Sequence, residues 1–214
     1  MIIPSILEGQ VSRETIERLK IYEETLKRWR AVKNLVSPST IADIWTRHFA
    51  DSLQLVRLAP SARIWLDIGS GAGFPGLVIA IAIADTRGSC VHLVDSDNRK
   101  CAFLREVARA TQVNVVVHHA RAEDVIADIE GVQAVTARAV GRLQYLVDLT
   151  APVISERAIG LFPKGRDYCS ELTGLRLPFN FKVDTAPSLT ENGAAVVIVS
   201  RESAPRRPEP DRIL

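Results

Sequence analysis

The sequence predicts an α/β fold: a mostly parallel, twisted sheet with helices on both faces, preceded by a helical extension. Three observations carry this. From Ile64 onward, short β-branched runs alternate with helical stretches, the rhythm of a parallel sheet covered on both sides. The first of these runs ends in Gly69-Ser70-Gly71-Ala72-Gly73-Phe74-Pro75-Gly76, a turn dense enough in glycine for tight folding and close approach of a ligand. Before Ile64, apolar residues recur at spacings of three and four.

Taken in order, Ile16, Leu19, Tyr22, Leu26, Trp29 and Val32 form one apolar stripe, predicting an amphipathic helix from Val11 to Leu35 with Ser12 as its cap. A second helix starts near Ser39 or Thr40 and runs through Ile41, Ile44, Trp45, Phe49 and Leu53 to about Val56. Pro60 and Ser61 then break the pattern. Residues 1–60 therefore read as an extension too small to fold alone, packed on a core domain over 61–203. Strands are predicted at 64–68, 90–95, 113–117, 132–137 and 158–163, with helices at about 75–86, 97–110, 121–128 and 141–155. After Lys164 two further strands, 179–183 and 195–199, suit an edge pair with an antiparallel member. The segment 204–214, with Pro205, Arg206, Arg207, Pro208 and Pro210, has no apolar period and reads as a loose tail.

A chain of 214 residues with 47% hydrophobic and 24% charged residues is long enough for a real core and is neither fibrous nor disordered in composition. The longest apolar run, Leu77 to Ala84, is too short for a bilayer, and Met1-Ile2-Ile3-Pro4 lacks the basic start of a signal peptide. A cytoplasmic protein with no membrane partner is expected, and a monomer. Cys90, Cys101 and Cys169 lack C-x-x-C spacing, and His118 and His119 point to opposite faces of a strand, so no metal site is expected. The net charge of +2 neither demands nor excludes nucleic acid. Its distribution says more: Lys27, Arg28, Arg30 and Lys33 crowd the end of the first helix, while Arg99, Lys100, Arg121, Arg138, Arg142, Lys164 and Arg166 fall near strand ends.

The register of the turn selects its ligand. Gly71 to Gly76 spells the dinucleotide pattern G-x-G-x-x-G, but there the first glycine closes the strand directly. Here Gly69 already does so, and Asp67 stands two places before it. This D-x-G-x-G-x-G register favours S-adenosylmethionine over a nicotinamide, with Asp95 at the end of the second strand placed to accept the ribose hydroxyls. The fold class is thus that of the class I, Rossmann-like, S-adenosylmethionine-dependent methyltransferases. A nucleotide-binding oxidoreductase or binding module is the competing class.

Several segments together resemble one family, the bacterial 16S ribosomal RNA guanine-N7 methyltransferases called RsmG or GidB. They are Asn34-Leu35-Val36-Ser37, Arg47-His48-Phe49-Ala50-Asp51-Ser52-Leu53, the turn from Asp67 to Gly76, Val94-Asp95-Ser96, Arg99-Lys100, Ala120-Arg121-Ala122-Glu123, Thr136-Ala137-Arg138-Ala139 and Pro163-Lys164-Gly165. The resemblance implies that Gly69 and Phe74 contact the cofactor, with Ser70, Gly71 and Gly73 shaping the turn. It also implies that Ala122 and Glu123 lie along the adenine and that Arg138 stands at the mouth of the site. Arg138 is the candidate catalytic residue, by positioning, and Arg47, His48, Lys100 and Lys164 are the candidate substrate-binding residues. The partner implied is 16S rRNA or the small ribosomal subunit. Guanine N7 carries a free lone pair, so no general base is needed, in keeping with a sequence that shows no Ser/His/Asp or Cys/His constellation. An Asn/Asp-Pro-Pro-aromatic segment, which amino methylation would require, is replaced by Thr136-Ala137-Arg138-Ala139. A methyltransferase for a small molecule or a protein is the alternative within the class.

Overall fold

The computed structural model describes residues 11–32, 43–155 and 157–202. The expected end of the first helix at Leu35, the start of the second near Ser39, the Asn34–Ser37 segment and the tail from Ala204 lie outside the described residues. Helix α1 spans Arg13–Val32, and the Ser12 hydroxyl accepts from the Thr15 N–H at 3.1 Å, the cap read from the sequence. The chain is next described at Asp43. A π-helical stretch, Ile44–Ala50, there runs directly into α2, Asp51–Leu58.

The core then alternates β1 (Ile64–Ile68), α3 (Gly76–Ala82), β2 (Cys90–Asp95), α4 (Asn98–Thr111), β3 (Val115–His119), the single turn α5 (Ala122–Val125), β4 (Ala134–Ala137), α6 (Leu143–Thr150) and β5 (Ile159–Lys164). Helix α7 (Tyr168–Thr173) follows, then β6 (Phe181–Pro187) and β7 (Ala195–Arg201). The strand order is β3-β2-β1-β4-β5-β7-β6. Strands β1 to β5 are parallel, and β7 inserts antiparallel between β5 and β6. The edge pair expected after Lys164 is this antiparallel hairpin.

Because strand side chains alternate, β1 feeds two cores at once. Trp65 points to a layer with Leu19, Tyr22 and Leu26 of α1, Phe49 of the π-helical stretch, Leu77 of α3 and Phe103 of α4. Leu66 and Ile68 point to the opposite layer with Val135, Leu143, Leu146, Phe162 and Val197. Most of these side chains are fully buried, and each large one contributes roughly 1.5–3 kcal/mol by leaving water. Helix α1 is held to the core by rings: Trp29 meets Phe103 edge-on at 5.5 Å, and Tyr22 meets Phe103 at 6.3 Å.

Strands β3, β4 and β6 each begin two residues later than predicted, and at β3 the cause is visible. Gln112 leaves α4 in the left-handed conformation at φ +55°, and the Val113 N–H returns to the Ala108 carbonyl, so two more residues pass before the chain can extend. His118 then pairs across the sheet with His92, Nδ1 to Nε2 at 3.0 Å, whereas His119 points away to the Ser96 carbonyl. Among the described residues no helix is long and apolar enough to cross a membrane.

The order of strands decides where a ligand can sit. From β1 the chain winds outward to β2 and β3, then returns to build β4 and β5 on the other side. The crevice of such a sheet opens at the carboxyl ends of β1 and β4, where the winding reverses.

Candidate active site

Asp67, the penultimate residue of β1, is wholly buried beneath the turn. Its Oδ2 accepts from the Gly76 N–H at 3.1 Å, and a Cβ on Gly76 would run into that oxygen and into Leu93. Its Oδ1 has no hydrogen-bond partner among the described residues. Burial pushes the Asp67 carboxyl from an ordinary 3.8 up to about 7. Between those values the unfolded chain has released a proton that the folded chain still holds, so this group makes stability fall as pH rises through that window. Asp67→Asn keeps an acceptor for Gly76 and has no proton to lose. Its unfolding free energy relative to wild type should improve from about pH 4 to about pH 7, measured by urea denaturation across pH, and a pH-independent difference would refute the burial argument.

Beyond Asp67 the turn doubles back. Ser70 is buried and shapes it from behind, its hydroxyl donating to the Asp67 carbonyl at 2.9 Å and its N–H to the Val94 carbonyl at 3.0 Å. Gly69, Gly71 and Gly73 all adopt positive φ. Gly71 is the informative one: at φ +57° a Cβ would find nothing nearer than the Gly69 carbonyl oxygen at 3.7 Å. Its N–H donates to Asp95 Oδ2 at 2.8 Å, so the turn is pinned to the end of β2.

Two cavities open above the carboxyl ends of the strands. The first, of about 270 Å³, is lined by Gly69, Asp95, Lys100, Ala122, Glu123 and Tyr145, with Ala139 on its border. Asp95 Oδ1 accepts from the Asp97 N–H at 2.9 Å. Each carboxylate oxygen has two lone pairs, so both keep acceptor capacity for a diol. The Glu123 carboxylate accepts from the Tyr145 hydroxyl at 2.6 Å, which holds it below the usual range. Lys100 lies here too, its Nζ 3.9 Å from Asp95 Oδ2, beside the expected ribose position and not on the second cavity.

The second cavity, of about 260 Å³, shares Ala139 with the first and is lined by Asp51, Arg138, Gly141, Lys164 and Glu191. Arg138 donates from Nη2 to the Arg47 carbonyl at 3.1 Å, and its Nη1 lies 3.3 Å from Asp51 Oδ2. With side chains 25% and 15% exposed, this is a mostly buried pair, not a surface salt bridge. Lys164 is only 10% exposed and donates to the Gly141 carbonyl at 2.8 Å and to Glu171 Oε2 at 2.9 Å. It is thus a fixed, mostly neutralised cation.

Phe74 turns its ring away into an aromatic stack, 5.4 Å from Tyr22 and 4.6 Å from His48. Burial, aided by the charges of Arg138 and Arg47, pushes the His48 imidazole down to about 4, so this ring is neutral at neutral pH. It presents a flat face and not a charge. Arg47 itself is exposed.

The model of the rRNA small subunit methyltransferase G family matches residues 15–193. The chain belongs to this family. The ribosomal RNA small subunit methyltransferase G of Methylobacterium sp. (strain 4-46) is 50% identical over 201 residues, covering 94% of this chain and 95% of that protein. The corresponding protein of Brucella ovis is 45% identical over 190 residues, 89% of each. Among solved structures, an SAH-bound methyltransferase of Podospora anserina superposes with a TM-score of 0.59 at 13% identity, covering 90% of this chain and 89% of that one. TrmN from Thermus thermophilus superposes at 0.52 with 18% identity, covering 72% and 49%. Those two likenesses concern the fold alone. As a member of the family the protein is a methyltransferase that uses S-adenosylmethionine, and the first cavity fits such a group: an open approach at Gly71 and a carboxylate with acceptors to spare.

Of the residues assigned from the sequence, seven line the two cavities, whereas Ser70, Gly71, Gly73, Phe74, Arg47 and His48 line neither. Gly69, Asp95, Lys100, Ala122 and Glu123 line the first cavity, and Arg138 and Lys164 line the second. Asp51, Glu171 and Tyr145 were not singled out as site residues. Asp51 was visible within Arg47-His48-Phe49-Ala50-Asp51-Ser52-Leu53, but only contact geometry shows what it touches.

Proposed function

We propose that this protein methylates N7 of a guanine in 16S rRNA of the small ribosomal subunit, acting as a cytoplasmic monomer. The observation that supports this best is the pair of adjoining cavities with Ala139 as their shared wall, one with a diol-accepting carboxylate and the other with a held arginine.

In this reading the first cavity holds S-adenosylmethionine, which supplies an electrophilic methyl group on a sulfonium. Asp95 accepts the ribose hydroxyls, and the backbone around Gly69 and Gly71 lets the nucleoside approach. The second cavity receives the guanine. Arg138 offers donors to O6 or to a phosphate, having five N–H groups and no acceptor. Guanine N7 offers a free lone pair to the methyl group that the bound cofactor would supply, so the residues of this chain would have no proton to remove. With no base to supply, the protein contributes alignment and exclusion of water, for which positioning provides roughly 7–11 kcal/mol in favourable cases.

The test is transfer of labelled methyl to 16S rRNA lacking the modification, followed by chemical cleavage at the methylated nucleotide. Cleavage at a single 7-methylguanosine is expected, with binding that weakens steeply with salt. Label on another base or atom would overturn the proposal.

A further inference from the structure

Arg138 does not set its own position. Its Nη1 is buried, lies 3.3 Å from Asp51 Oδ2 and yet makes no aligned hydrogen bond. The guanidinium is therefore held by charge and by the Arg47 carbonyl, with one desolvated N–H group uncommitted. A pair serving stability alone would align that N–H, because an unpaired buried donor is costly.

Asp51 is in turn fixed from two sides. Its Oδ1 accepts from Gln54 Nε2 at 2.7 Å and from the Thr190 hydroxyl at 2.8 Å, and Gln54 Oε1 accepts from the Leu189 N–H at 3.0 Å. Gln54 is buried. One carboxylate thus joins three distant segments around the second cavity: the start of α2, the residue after β4, and the 188–191 loop between β6 and β7. Its Oδ1 holds the loop and its Oδ2 holds the arginine.

From this we infer that Asp51 is a positioning residue for methyl transfer, aiming Arg138 into the second cavity while clasping the 188–191 loop that forms part of its wall. The inference rests on the assignment of that cavity to the target guanine. It separates the two oxygens of Asp51 by task, and this makes it testable.

Asp51→Asn retains Oδ1 for Gln54 and Thr190 but sets an N–H₂ group against Arg138. Thr190→Val removes the direct bond from the loop to Asp51, keeps the Gln54–Leu189 tether and leaves the ion pair. Both variants, Arg138→Ala and the double variant Asp51→Asn/Arg138→Ala are compared in kcat and KM on unmodified rRNA, in S-adenosylmethionine affinity and in melting temperature. Asp51→Asn is expected to lower kcat about tenfold or more with cofactor affinity within about twofold of wild type, and the double variant to match Arg138→Ala, since groups acting as a unit do not add. Thr190→Val is expected to lose less than about threefold.

Asp51→Asn with kcat within about twofold of wild type, losses that multiply in the double variant, or an equal loss in Thr190→Val would each overturn the inference. Should Asp51→Asn melt early, Asp51→Glu, which keeps the charge, must recover part of kcat; no recovery also overturns it. A wild-type protein that binds cofactor but leaves rRNA unmethylated would remove the substrate assignment itself, a result distinct from any difference among the variants.

Discussion

Gly71→Arg is expected to abolish S-adenosylmethionine binding in a protein that still folds. Gly71 sits at φ +57°, where a side chain costs roughly 1–2 kcal/mol of backbone strain. The larger effect is spatial. A Cβ at this position meets nothing nearer than 3.7 Å, so a side chain has room to start there, next to the carboxylate of Asp95 that the cofactor is proposed to use. Because that direction is open, the core beneath is not disturbed and the native state survives. The N–H of residue 71 is also the donor that pins the turn to Asp95 at 2.8 Å, and strain there misplaces the ribose acceptor as well. A loss of about 100-fold or more in affinity is expected, which is about 2.7 kcal/mol, read by calorimetry. Unchanged affinity would move the cofactor away from this turn.

Arg138→Ala should lower methyl transfer to rRNA by about 100-fold, about 2.7 kcal/mol of transition-state stabilisation, while cofactor affinity stays near wild type. The two cavities are distinct, and Arg138 lines only the second. Removing it leaves Asp51 Oδ2 without its cation, but Oδ1 remains bonded to Gln54 and Thr190, and the carboxylate is 15% exposed. The stability cost is therefore below the roughly 3–5 kcal/mol of a stranded, fully buried charge. Labelled methyl transfer and a thermal melt distinguish the outcomes. Full activity with a large fall in melting temperature would mean that the pair serves only as scaffold.

Much of the core was legible because its signals are local. Ile64–Ile68 and Cys90–Asp95 are β-branched or apolar runs bounded by turn residues, and both strands occupy the predicted residues. The glycine register and Asp95 could be read for the same reason, since they are consecutive or one βαβ unit apart. What could not be read depends on partners distant in sequence. Phe49 follows Trp45 by four residues and Ile44 by five, and a spacing of four returns to one side in an α- and a π-helical turn alike, so the pattern predicts only a helix. Phe74 belongs to the turn by position, and nothing nearby announces that Tyr22 and His48 take its two neighbours' places in a stack. That Lys164 is paired with Glu171 is hidden because the two stand on different elements, the end of β5 and helix α7. Helix α7 is short and lacks an apolar period, and it left no readable signal.

Tyr22 gives the first helix an influence over chemistry that begins some fifty positions downstream. Its hydroxyl donates to the Ala72 carbonyl and its ring lies against Phe74, so a side chain far outside the glycine turn sets the curvature of the turn itself. Substitution of Tyr22 is therefore expected to loosen the turn. A screen for cofactor defects confined to the familiar glycines would overlook changes at a tyrosine that belongs, in every functional sense, to the same loop.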